Sequence, residues 1–224
     1  ATLVLLEKFS ATTWSRAVED QRVTFTIAVS SHLQVLEKLL LVENKIKSIR
    51  RLVSSSAGIS LQLKKRYFDQ NKFIFHEMYG ASEVATATDL NQKDAETKIN
   101  SVGYPCEGVS VVIVDENGRK CEQGDIGEIC VKSPHSSPGY FHNQDMTKAS
   151  WLKDYFRTGD LGFLDADNYL FLAGRKNDLI ICGGLNVFPA QVLTAFSAEE
   201  VVGHIEIIGQ PNQYLGEVVV CFVV

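Results

Sequence analysis

No Cys-x-x-Cys pair occurs among the five cysteines, Cys106, Cys121, Cys130, Cys182 and Cys221. An odd, widely spaced set indicates neither a zinc ribbon nor a disulfide framework, and it reads as half-buried thiols of a reduced, cytoplasmic protein. The five histidines are scattered as well and form no metal pair. No apolar run is long enough to span a bilayer, so no transmembrane segment is expected. Thr2-Leu3-Val4-Leu5-Leu6 is too short for a signal peptide and lacks a basic leader. Neither Gly-x-x-x-x-Gly-Lys nor Gly-x-Gly-x-x-Gly is present, so no P-loop and no dinucleotide fingerprint is indicated. Basic residues stop at Lys176. The five acids beyond it (Asp178, Glu199, Glu200, Glu206, Glu217) equal the whole net charge of −5. Residues 1–176 are therefore balanced, and the change suggests a boundary near 176–178.

What is present suits a globular chain. Of the 224 residues, 45% are hydrophobic and 22% charged, enough apolar material for a real core. Val23, Phe25, Ile27 and Val29 alternate with small or polar residues as in a strand. Ser31 is expected to cap a helix with Leu33, Leu36 and Leu40 on one face. Residues 49–53 and 73–75 read as strands flanking a helix from about Ser60 to Phe68, and a first strand is expected almost at residue 1. This order argues for a largely parallel sheet covered by helices, with ligands beyond the carboxyl ends of the strands. After Ser101 the pattern turns to short strands: 109–114, 126–131, 163–165 and 169–172. They suggest antiparallel β structure, a small barrel or a curled sheet. Pro189 fits the first turn of a helix, and 205–208 and 218–224 read as strands.

Three strings carry chemistry. Tyr79-Gly80-Ala81-Ser82-Glu83 offers an aromatic face, a close-approach glycine, a hydroxyl and a carboxylate. Arg157-Thr158-Gly159-Asp160-Leu161 reads as a tight turn presenting Asp160, and Gly174-Arg175-Lys176-Asn177-Asp178 follows. Carboxylate oxygen suits Mg²⁺ and ribose hydroxyls, and hydroxyl and guanidinium suit phosphate. Taken singly, each string is an ordinary polar turn or a surface charge. Gly183-Gly184 is either a simple turn or a place where a thin substrate passes close to backbone. A basic stretch (Lys45, Lys47, Arg50, Arg51, Lys64, Lys65, Arg66) has few aromatics within it. It reads as a solvated helix face, and no nucleic-acid partner is expected.

The order of these strings resembles the adenylate-forming (AMP-binding) superfamily, and specifically its acyl-CoA synthetases. Ser101-Val102-Gly103-Tyr104-Pro105, Gly124-Asp125-Ile126-Gly127-Glu128-Ile129 and Gly139-Tyr140 are similar to further family segments, and the likeness covers nearly the whole chain. It implies an α/β fold: a mostly parallel helix-covered sheet, then a small antiparallel β subdomain, then the start of a small α+β C-terminal domain. Residues 1–177 would be the C-terminal part of the large AMP-binding domain (1–100 α/β, 101–177 β-rich). Residues 178–224 would be the hinge and an incomplete small domain. By the resemblance, Ser82 would contact ATP phosphates and Glu83 would hold Mg²⁺, these two being the catalytic candidates. Tyr79 would stack on adenine beside Gly80, and Ser56, Ala57 and Gly58 would line the adenine pocket. Asp160 and Arg175 would bind ribose, Asp178 would be the hinge, and Gly183 and Gly184 would border the pantetheine tunnel of CoA. The implied reaction is ATP-dependent activation of a carboxylic acid, a fatty acid by first expectation, to an acyl-adenylate, followed by transfer to CoA.

The departures from the family shape that expectation. Nothing matches its Ser/Thr/Gly-rich phosphate loop, and no Lys follows residue 176 to serve as the adenylation lysine. Ser54-Ser55-Ser56-Ala57-Gly58 replaces the commoner Ser-Gly-Gly-Ala-Pro. Gln191 and Leu193 stand where Glu is usual, and the segment 198–202 looks slightly shortened. The chain alone is therefore expected to be inactive. A non-catalytic nucleotide-binding or interaction remnant, and a separate chain supplying the N-terminal half, remain as alternatives.

Overall fold

Short connections decide the topology of the first sheet. The computed structural model describes residues 2–42, 46–55, 58–196 and 205–223. The chain divides into two compact units, residues 1–110 with 133–137 and 168–170, and residues 111–132 with 138–167 and 171–224.

In the first unit α1 (Ala11–Gln21) starts at Ser10, which accepts from the Thr13 amide in a capping box. Then follow β1 (Phe25–Ala28), α2 (Ser30–Glu37), a π-helical stretch (Lys38–Val42), β2 (Arg51–Ser54) and α3 (Leu61–Asp69). β3 (Ile74–Ala81), β4 (Ala85–Leu90), α4 (Gln92–Lys98) and β5 (Tyr104–Pro105) complete the set. The sheet order is β1-β2-β3-β4-β5. β1, β2 and β3 are mutually parallel, as the strand–helix–strand pattern predicts. β4 is an antiparallel addition, because three residues between β3 and β4 cannot make a crossover, and β5 pairs antiparallel with β4 in turn.

Leu33, Leu36, Leu40, Leu52, Leu63, Tyr67 and Phe75 are all 2% exposed or less and form the centre of this unit's core. Tyr67 stacks on Phe75 at 5.1 Å and donates its hydroxyl to the Leu33 carbonyl at 2.7 Å. Two expectations change. Val29 occupies the N-cap of α2 without a side-chain bond, so Ser31 lies inside the helix rather than capping it. Residues 2–6 form no strand: they pair with none of the described strands, and Leu3 and Leu5 stay exposed.

A buried ion pair joins α3 to β3. Lys64 Nζ bonds Glu77 Oε2 and also donates to the Ser101 carbonyl at 2.7 Å. Burial pulls the Lys64 ammonium down and pushes the Glu77 carboxyl up, and each charge partly counters the shift of the other. The basic stretch is thereby dispersed: Lys64 is inside, and Arg66 is paired with Glu37. Lys45 lies outside the described residues.

The second unit contains β6 (Ser110–Val114), β7 (Gly127–Lys132), α5 (Gln144–Ser150), β8 (Trp151–Leu152), β9 (Tyr155–Leu164) and β10 (Leu170–Arg175), the first residues of β6 and β10 belonging to the first unit. The sheet runs β10-β9-β7-β6 as an open path, with β8 paired to β9. β9 is antiparallel to both β7 and β8. A 3₁₀ turn (Lys176–Asp178) leads to β11 (Ile180–Cys182), β12 (Leu185–Val187), α6 (Pro189–Phe196), β13 (Ile205–Asn212) and β14 (Gly216–Val223). These last strands form an antiparallel sheet of order β12-β11-β14-β13. Pro189 opens α6, where its fixed φ and missing N–H cost nothing. The expectation for 198–202 falls outside the described residues.

Removing one member of the Lys64–Glu77 pair strands the other charge. Lys64→Met is expected to lower the unfolding free energy by about 3–5 kcal/mol. Lys64→Met with Glu77→Leu should recover most of that loss. Urea titration of the single and double variants checks both.

Candidate functional site

The β3–β4 hairpin carries the first string. Tyr79, Gly80 and Ala81 finish β3, and Ser82, Glu83 and Val84 make the turn. The strand is thus longer than its apolar part, and only the last residues of the string form the turn. Val84 is fully buried and its amide donates to the Ala81 carbonyl at 3.1 Å, which anchors the loop. The pairing slips between Tyr79 and Gly80. A Cβ at Gly80 would lie 2.1 Å from the Ala85 carbonyl oxygen, so only glycine fits. Ala85 itself sits at φ +59°, in the left-handed region. Ser82 is exposed, Tyr79 and Glu83 are half-buried, and the Glu83 carbonyl accepts from the Ser137 amide at 2.7 Å. The hairpin therefore presents a hydroxyl and a carboxylate on neighbouring turn positions. Gly58 is exposed, and Ser56 and Ala57 lie outside the described residues.

In the second unit Arg157–Leu161 is not a tight turn. All five residues belong to β9, where a bulge replaces the turn. Cys130 pairs with Arg157 and Glu128 with Leu161, so three residues of β9 face Ile129 alone. Gly159 adopts φ +72°, which lets the bulge form. Thr158 Oγ1 ties it down by donating to the Ile129 carbonyl at 2.9 Å and accepting from the Asp160 amide at 3.0 Å.

Asp160 and Arg175 are brought together across neighbouring strands: Arg175 Nε lies 3.0 Å from Asp160 Oδ1. The Asp160 side chain is 16% exposed and that of Arg175 63%. A carboxylate steadied by a cation at a strand edge is a suitable acceptor for vicinal hydroxyls. Asp178 is exposed at the end of the 3₁₀ turn. Gly183 (φ +58°) and Gly184 (φ +83°) form the two-residue hairpin turn between β11 and β12. Gly183 donates to the Leu215 carbonyl at 2.8 Å.

Two polar arrangements were not foreseen. Glu128, nearly buried in β7, accepts from Arg157 and Lys176. In the sequence it shows as a charge within Ile126–Val131 and as part of the family-like segment Gly124–Ile129, with no sign of its partners. The second is His76, whose Nδ1 lies 2.9 Å from both carboxylate oxygens of Asp89. Among the described residues no three His, Cys, Asp or Glu side chains gather as a metal cage. A lone carboxylate such as Glu83 fits Mg²⁺ held mainly by phosphate and water, and does not fit a dedicated protein cage.

Replacing Ala85 with Gly removes the left-handed strain and is expected to raise stability by about 1 kcal/mol. Gly80→Ala should lower it by about 1–3 kcal/mol by forcing the strands apart. Thermal unfolding of the two variants reads both signs.

Comparison with known proteins bears on the family of the chain. The family model for AMP-binding enzymes matches residues 1–141. An indoleacetate–CoA ligase of Aromatoleum aromaticum is 31% identical over 100% of this chain and 44% of its own length. A long-chain-fatty-acid–CoA ligase of Bacillus subtilis is 30% identical over 99% of this chain and 40% of its own. The structure of o-succinylbenzoate CoA synthetase from Bacillus subtilis, in complex with its acyl-adenylate intermediate, superposes with a TM-score of 0.86 at 28% identity, covering 96% of this chain and 44% of that one. An amide bond synthetase from Marinactinospora thermotolerans gives a TM-score of 0.88 at 28% identity, covering 97% of this chain and 46% of that one. The chain spans less than half the length of these relatives. With more than half its residues matched by the family model and its sheets and strings in that order, the chain belongs to the AMP-binding enzyme family.

Proposed function

We propose that this chain is part of an AMP-forming acid–thiol ligase that activates a carboxylic acid with ATP and passes the acyl group to CoA. The observation that carries the reading is the 3.0 Å contact of Asp160 with Arg175, set by a glycine bulge within a chain of this family. In this reading Asp160 accepts from the ribose hydroxyls and Arg175 steadies its carboxylate. Tyr79 offers its ring to adenine, with Gly80 allowing close approach and Gly58 contributing to the pocket. Ser82 donates its hydroxyl to phosphate, and Glu83 would hold Mg²⁺, which when bound offsets the charge building on phosphate.

The chemistry has two displacements. A substrate carboxylate oxygen bonds to the α-phosphorus as the bond to pyrophosphate breaks. The CoA thiol then attacks the acyl carbon, loses its proton, and AMP leaves with the electron pair of the cleaved C–O bond. Asp178, on the exposed turn after Lys176, is the hinge about which residues 178–224 rotate between the two steps. Gly183 and Gly184 then border the pantetheine path, where bare backbone leaves room for a thin arm. The fatty-acid expectation is supported by two of the relatives and competes with the aromatic acids named for others.

A second reading is a nucleotide-binding unit without turnover. Calorimetry with AMP and ATP is expected to detect binding to residues 1–224. Asp160→Ala should weaken that binding about ten- to a hundredfold, the worth of hydrogen bonds to a charged acceptor. Carboxylate-dependent pyrophosphate release by this chain alone is expected to be absent. Robust turnover would overturn the partial-enzyme reading, and AMP affinity unchanged in Asp160→Ala would overturn the ribose assignment.

A further inference from the structure

The Asp160–Arg175 contact cannot hold itself. Arg175 is mostly exposed, and ion pairs at such positions contribute little once side-chain entropy and screening are counted. Asp160 follows a glycine at φ +72°, a flexible place to mount a recognition group. Thr158 ties the bulge backbone to Ile129, and the side-chain contact needs a further support. Glu128 lies on β7, next to β9 in the sheet, and its side chain is 7% exposed. Its Oε2 accepts from Arg157 Nε at 3.1 Å, Arg157 Nη2 at 2.5 Å and Lys176 Nζ at 3.0 Å.

Arg157 lies just before the bulge that presents Asp160, and Lys176 directly follows Arg175. A closed circuit results, running from Glu128 to Arg157, through Thr158 and Gly159 to Asp160, across to Arg175, on to Lys176 and back to Glu128. The cluster holds three cations and two carboxylates and so stays net positive. Without Glu128, Arg157 and Lys176 lose the carboxylate they share.

We propose that Glu128 is a positioning residue for the ribose clamp: one carboxylate oxygen sets the register of Asp160 against Arg175 and holds the 3₁₀ turn that leads to Asp178. The proposal rests on the ribose assignment above. Glu128 stays ionised despite its burial, because hydrogen bonds from Arg157 and Lys176 hold its carboxyl below the usual range.

Two substitutions separate charge from packing. Glu128→Gln keeps the shape and removes the charge; Glu128→Asp keeps the charge and leaves a gap. Hydrogen exchange and AMP calorimetry on residues 1–224 read both. Protection of 157–161 and 176–179 is expected to fall in Glu128→Gln and to be largely retained in Glu128→Asp. Lys176→Met should loosen 176–179 alone. AMP affinity should fall about tenfold in Glu128→Gln and less in Glu128→Asp. Equal or better behaviour of Glu128→Gln than Glu128→Asp in both measurements would overturn the proposal, since that is the order a packing role predicts. Uniform loss of protection along β7 would overturn it too. If the wild-type chain does not bind AMP, the ribose assignment fails, while the exchange ranking still decides whether Glu128 makes the tie.

Discussion

A carboxylate enclosed in protein is held in its charged form only when enough donors reach it, and two glutamates of this chain show the balance from opposite sides. Glu77 is answered by one ammonium, Lys64, and desolvation dominates, so its carboxyl is pushed up. Glu128, no more exposed than Glu77, is met by a guanidinium and an ammonium, and their hydrogen bonds outweigh desolvation. The difference lies in the number of donors, and hardly in the residue itself. It also means that Arg157–Leu161 and Gly174–Asp178 are not two independent loops. Each sends one cation to the same oxygen on β7, and the contact between Asp160 and Arg175 sits on top of that shared anchor.

The hairpin of the first unit follows a different logic. Its shape comes from a steric limit: strands β3 and β4 approach so closely that residue 80 has no space for a side chain. The short loop that follows reverses the chain, ends the parallel part of the sheet and leaves Ser82 and Glu83 on the turn. The composition of the string is thus dictated as much by backbone packing as by any ligand. Its tyrosine and glycine belong to the strand, and its serine and glutamate to the turn.

How much of this was legible depends on where apolar residues fall. α2 and α3 bury Leu33, Leu36, Leu63 and Tyr67, and their helical period stands out in the sequence. α4 buries only Ala95 and α5 buries nothing, so neither leaves an apolar stripe to read. Residues 2–6 mislead in the reverse sense, since an apolar run without a partner strand does not become one. Thr-Gly-Asp at 158–160 favours a turn and a bulge alike, and only the pairing with β7 separates them. The candidate residues themselves were found through the order of their strings. The role of Glu128 was not, because a long-range ion pair leaves no local pattern: Glu128 and Lys176 are 48 positions apart.

The glycine pair joining β11 and β12 has a consequence for molecular evolution. Both positions hold left-handed backbone, so nearly any replacement strains the turn, whatever else changes around it. What the loop shows to solvent is peptide groups and the methyls of Leu215 nearby. Such a surface offers peptide groups and apolar methyls, so any finer chemical discrimination there comes from neighbouring residues. Drift in neighbouring strands can therefore alter what is accepted while the turn itself stays unchanged.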